Sequence, residues 1–134
     1  MSVRVYIPLT SAGLAALVAD GRVDGPFRAH AVTKALVSEW PEGDDEDWEY
    51  AALSAAAASS WALRGADDSP RRIVVAADVP SVTDLDEDDP TLVDVAADVP
   101  WKNIASAHVD TSDYDGESDT ALAWYAAQEI SGLV

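Results

Sequence analysis

The chain has 134 residues, no cysteine, and 25 acidic against 8 basic residues, a formal net charge of -17. That composition excludes thiol catalysis, disulfide staples and cysteine-based zinc sites, and it sets a repulsive field against nucleic-acid phosphates and anionic lipid. A chain of this length buries roughly two-thirds of its unfolded surface, so a single globular domain over 1-134 is expected, with acidic loops near 81-90 and 111-119.

The first strand is read from "VRVYIPL", where Val3, Val5 and Ile7 alternate with Arg4 and Tyr6 and Pro8 limits the run. Thr10 or Ser11 can cap the helix that follows, whose Leu14, Leu17 and Val18 recur at helical spacing before Gly21 stops it. Pro8, Thr10 and Ser11 also break the apolar stretch after Arg4, so a secretory signal is not expected and a cytoplasmic location is. "FRAHAVT" reads as a second strand, joined to the first as a right-handed βαβ unit. Thr33 can then cap a short helix from Lys34 to Trp40, ended by Pro41.

"EGDDEDWEYAALSAAAASSWALRGA" predicts the strongest helix, with acids where the helix dipole favours them and Gly65 as its stop. Its alanines permit close approach to a sheet, with Trp48, Tyr50, Leu53 and Trp61 supplying bulk. Its mainly apolar run, Ala51 to Leu63, falls short of the roughly 18 residues that a spanning helix requires, so no membrane segment is expected. "RRIVVAADV" is apolar on both faces from Ile73 to Ala77, as a strand inside the sheet would be. "TLVDVAADV" alternates and should be wet on one face, "IASAHVD" makes a fifth strand, and a closing helix is expected from about Asp119 to Ile130. Trp101, and Trp124 with Tyr125 in that helix, are candidates for an interface, with core packing the favoured role of Trp124. The order β-α-β-α-α-β-β-β-α implies an α+β fold, a mixed α/β layer sandwich of about five strands in a mixed sheet packed with about four helices.

"VAADVP" occurs twice, at Val75 to Pro80 and Val95 to Pro100. Paired carboxylates would need parallel neighbouring strands, but the connector 81-90 is short and not helical, so an antiparallel hairpin is expected. A symmetric hairpin sets Asp78 opposite Val93 and Asp98 opposite Ile73, near Arg71 and Arg72, with the two aspartates far apart. Two copies with different flanks do not make a solenoid.

His30 and His108 are the only histidines, each on an expected strand. If those strands adjoin, the two could approach Asp110, with Glu129 reaching in from the last helix, as acid–base or metal-binding groups. Hydrogen-bonded strand histidines are the plainer alternative. "TSDYDG" sets Thr111, Asp113 and Asp115 before Gly116 in calcium-loop spacing, but Leu122 stands where the bidentate Glu is needed. "DLDEDD" offers Asp84, Asp86 and Asp88 but has Asp89 in place of the turn glycine. Thr10, Ser11 and Gly13 form a strand-to-helix turn that could hold an anion, though no Walker lysine or GxGxxG accompanies it. No strong catalytic signature is present, and no cofactor is expected.

"RVYIPLT", "AHAVT", "EYAALSAAA", "VVAADVP", "AHVD" and "WYAAQEI" together resemble a family of small actinobacterial proteins carrying a domain of unknown function. The resemblance implies an actinobacterial, cytoplasmic, single-domain protein and assigns no activity. The leading expectation is a non-enzymatic domain acting through a protein partner, a basic one given the charge, or through a small ligand. The alternatives are a hydrolase-type enzyme using His30 and His108, and an acidic nucleic-acid mimic with a phosphate-like stripe of carboxylates.

Overall fold

In the computed structural model, which describes residues 2-85 and 88-134, the elements run β1 (Val3–Leu9), α1 (Ser11–Asp20), β2 (Arg22–Val23), β3 (Phe27–His30), α2 (Lys34–Glu39) and α3 (Asp45–Leu63). There follow β4 (Ile73–Val79), β5 (Thr83–Asp84), β6 (Leu92–Val95), β7 (Val99–Pro100), β8 (Ile104–Val109) and β9 (Ala123–Ala126). Short 3-10 helices occupy Trp101–Asn103 and Ala127–Leu133. Seven strands form one sheet in the order β5-β6-β3-β1-β4-β8-β9, and β2 pairs with β7 apart from it. Every neighbouring pair is antiparallel.

The α+β class therefore stands, but the expectation of about five strands in a mixed sheet does not. The parallel βαβ unit fails because β2 and the turn 24-26 intervene between α1 and β3, and β3 meets β1 antiparallel, with Tyr6 opposite His30. The expected hairpin of "RRIVVAADV" with "TLVDVAADV" fails too: β4 pairs with β1 and β8, while β6 pairs with β3 and β5. The closing helix is replaced by β9 and a 3-10 helix. β8 would otherwise present its outer row of N–H and C=O groups as an edge, and pairing Val109 with Ala123 through Ser106 with Ala126 overrides the helix propensity of the alanines.

The apolar run of β4 does lie inside the sheet, buried on both faces. On one face Val5, Ile7, Val75 and Ala77 pack with Leu14 and Leu17 of α1, with Val99, and with Ile130 of the terminal 3-10 helix. On the other, Ala52, Ala56 and Ala57 of α3 lie against Tyr6, Val74 and Ala76. Thr10 caps α1, accepting from Gly13 N–H, and Gly21 closes it in the left-handed conformation. Asp44 and Asp47 form a reciprocal capping box at the start of α3. That helix ends at Leu63 with Arg64 extended, so Gly65 is not its left-handed stop.

The two VAADVP copies have separate roles. Asp78 receives both Nε, at 2.8 Å, and Nη2, at 3.2 Å, of Arg4, its cross-strand partner. Asp98 accepts from Gly25 N–H at 2.8 Å, and neither Arg71 nor Arg72 pairs with it. A Cβ built on Gly25 would meet the Ala97 carbonyl carbon and oxygen at 2.6 Å, so this close approach requires glycine.

Candidate functional site

His30 ends β3 directly across from Tyr6, and because Tyr6 packs under α3, the imidazole points to that side of the sheet. There Nε2 lies 2.8 Å from Ser59 Oγ. Nδ1 lies 2.7 Å from Thr91 Oγ1 and 3.4 Å from Asp89 Oδ2. The β3–β6 register brings these partners in, because His30 faces Leu92 and the residues just before β6 arrive at the ring. That segment is pinned in place: Ala31 N–H donates to the Thr91 carbonyl, and the Thr33 hydroxyl donates to the Pro90 carbonyl.

The hydrogen bonds settle the tautomer. Asp89 Oδ1 accepts from Thr91 N–H at 2.9 Å and from the Thr91 hydroxyl at 2.7 Å. With its proton spent there, Thr91 Oγ1 accepts from His30, so Nδ1 carries the ring proton. Nε2 then offers a lone pair, and Ser59 donates to it. Burial holds the pKa of His30 below its ordinary value, with the Asp89 carboxylate offsetting part of the shift, so the ring is neutral at pH 7.

This polar chain borders a groove of about 510 Å³ lined in part by the C-terminal end of β1. Ile7, Leu9, Val23, Phe27, Leu63 and Leu92 supply apolar wall, and His30, Ser59 and Asp89 stand at its polar end. A Ser–His–carboxylate series resembles nucleophilic machinery, but α3 opposes that use. Ser59 lies inside the helix, where its N–H serves the helix and is no oxyanion donor, and the C-terminal end of the dipole disfavours developing negative charge. The arrangement orients hydrogen-bonding groups and is not set for acyl transfer.

The other residues singled out in the sequence do not join this site. His108, on β8, points to the same side as His30 but is separated from it by β1 and β4, three strand spacings or about 14 Å. It lies in a shallow cleft with Arg4, Tyr6, Glu46 and Glu49, its Nε2 3.3 Å from Ser106 Oγ. Burial first, and then Arg4, lower its pKa. Trp124, assigned to the core from sequence, is 61% exposed beside it, because β9 is the sheet edge. Trp101 is half-buried against the α1-side core.

Asp110 is committed to Arg72, accepting from Nε at 2.9 Å, Nη2 at 2.8 Å and the backbone N–H at 2.8 Å. Glu129 lies in the terminal 3-10 helix, whose Ile130 packs on the opposite face, and accepts from Ala126 N–H. Asp113 meets Arg71 at 3.3 Å. Asp115 accepts from Glu117 and Ser118 N–H, bonds that lower its pKa. Asp86, part of the other acidic loop, lies outside the described residues. Among the described residues no group of three or more histidine or acidic side chains is placed to hold a metal ion. At the α1 turn, Asp68 takes the place an anion would fill, accepting from Ala12 N–H at 3.1 Å and Ser11 Oγ at 3.2 Å. Thr10 and Gly13 are joined there by the cap itself.

Sequence reasoning singled out His30 but missed Ser59 and Thr91 and gave Asp89 no role at the ring. The usable signal was the match of two short alternating stretches, "FRAH" and "TLVDV", as partner strands.

A family of unknown function, DUF6912, matches residues 3–134, and the chain belongs to it. No curated protein and no solved structure matches the chain.

Proposed function

From that membership, which assigns no activity, we propose that the protein is a non-enzymatic small-ligand-binding domain whose site is the groove beside His30. One observation carries the reading: a buried hydrogen-bond chain with a defined tautomer opens onto apolar accessible space, the combination that ligand sites use to fix orientation and supply affinity. A histidine serving packing alone has no use for a groove at its polar end. The cysteine-free composition suits the cytoplasm, and the resemblance of its phrases suits an actinobacterial origin. The test is a thermal-shift panel of common metabolites and divalent metals on the wild type and on Ala62→Trp, an exposed groove position that a large side chain would plug. A metabolite that raises the melting temperature of the wild type and not of Ala62→Trp is expected. A flat metabolite panel, or a rise that survives the plug, overturns the reading.

A further inference from the structure

We infer that the groove selects organic cations, amines with an apolar body, over neutral or anionic molecules of the same shape. This rests on the groove being the ligand site and adds the chemical class it takes. Four features agree on the sign. Asp89 is the carboxylate at the polar end, with its side chain 38% exposed, and its Oδ1 is the oxygen occupied by Thr91. Ser59 spends its proton on His30 Nε2, which leaves oxygen lone pairs as the groups it can offer a ligand. Ala62 and Leu63 on the wall belong to the last turn of α3, the negative end of its dipole. The whole chain, at -17, raises the local concentration of cations.

Arg28 is the opposing charge at the wall. It stands directly across from Asp94 in the β3–β6 register and is engaged in an interaction of its own. The polar end is therefore built of acceptors, and a ligand that donates several N–H bonds and carries positive charge satisfies them, while a carboxylate meets lone pairs and like charge. Leu9, Phe27, Leu63 and Leu92 take the apolar body.

Three molecules of one shape separate the outcomes: 2-phenylethylamine, 2-phenylethanol and 3-phenylpropionate, titrated into the full chain at low salt and followed by the ring nitrogen resonances of His30 and by calorimetry. The amine is expected to bind at least about tenfold more tightly than the alcohol, a gap that narrows with added salt, and the carboxylate more weakly than either. Asp89→Asn keeps an amide oxygen to accept from Thr91 and is expected to erase the roughly tenfold preference for the amine over the alcohol, whereas a preference that survives in this variant overturns the inference. Equal or tighter binding of the alcohol or carboxylate at His30 overturns the cation inference and leaves the groove as a ligand site. If none of the three perturbs His30 the inference fails, and a flat metabolite panel beside that result removes the groove reading as well.

Discussion

Arg72 and Asp110 hold the end of β4 to the end of β8 through a two-pronged ion pair whose side chains are only 12% and 2% exposed. The guanidinium also lies 3.6 Å over the Tyr114 ring and donates to the Thr120 carbonyl. Asp110→Ala would leave that cation buried without its carboxylate and is expected to cost about 3–5 kcal/mol, measured by chemical denaturation. At Gly25 the constraint is steric, and Gly25→Ala is expected to cost about 1–3 kcal/mol through forced separation from the Ala97 carbonyl. His30 contributes a pH dependence of definite sign. Its folded pKa is lowered by burial, so the unfolded chain takes up the proton first; stability is full above about pH 6.5 and is lost as pH falls below it. His108 is shifted in the same direction. Unfolding free energy is expected to fall as pH drops from about 6.5 to 5.5, and the slope to be shallower in His30→Gln. The sequence could single out His30 as a rare titratable group on a strand, but Ser59 and Thr91 stand 29 and 61 residues further along. Their convergence is a product of strand order, which local spacing does not encode.

Helix α3 was legible because its signals are local: acids before Trp48 and an alanine-rich run. Its mode of packing follows from the same alanines, which let the helix lie close on Tyr6, Val74 and Ala76. Ala56 is fully buried at that contact while Ala58 is exposed. Ala56→Leu is expected to destabilise by about 1–3 kcal/mol and Ala58→Leu to stay within about 0.5 kcal/mol, compared by denaturant titration. β1, β3 and β4 were legible from alternation or from a doubly apolar run, and Thr10, Thr33 and Gly21 from capping chemistry. β9 was not. "AWYA" carries helix-compatible alanines, and only the need of β8 for an outer partner makes it a strand. The pairing of β4 with β1, and not with the nearer β6, was equally out of reach, because it depends on which strands the covering helices leave adjacent.

At the scale of the molecule, the charge of -17 is less a single surface feature than a set of local uses. Asp44, Asp47, Asp68, Asp115 and Glu129 cap turns or helices, and Asp78, Asp110 and Asp113 meet arginines. That pattern gives no support to a phosphate-like stripe of the kind a nucleic-acid mimic needs. The remaining excess still repels itself, so the melting temperature is expected to rise as sodium chloride is added up to about 0.5 M, where the screening length falls to a few ångströms. The proposed ligand site lies where the sheet, α3 and the β6 segment meet around His30. With two histidines, both under the same sheet face but about 14 Å apart, the molecule carries its own internal control. The most direct measurement is the histidine ring nitrogen spectrum during titration with any metabolite that raises the melting temperature. The ligand-site account predicts a free-state His30 protonated at Nδ1 whose resonances move with ligand while those of His108 stay fixed. Resonances of His30 that remain unmoved at saturating ligand, or a response confined to His108, would contradict it.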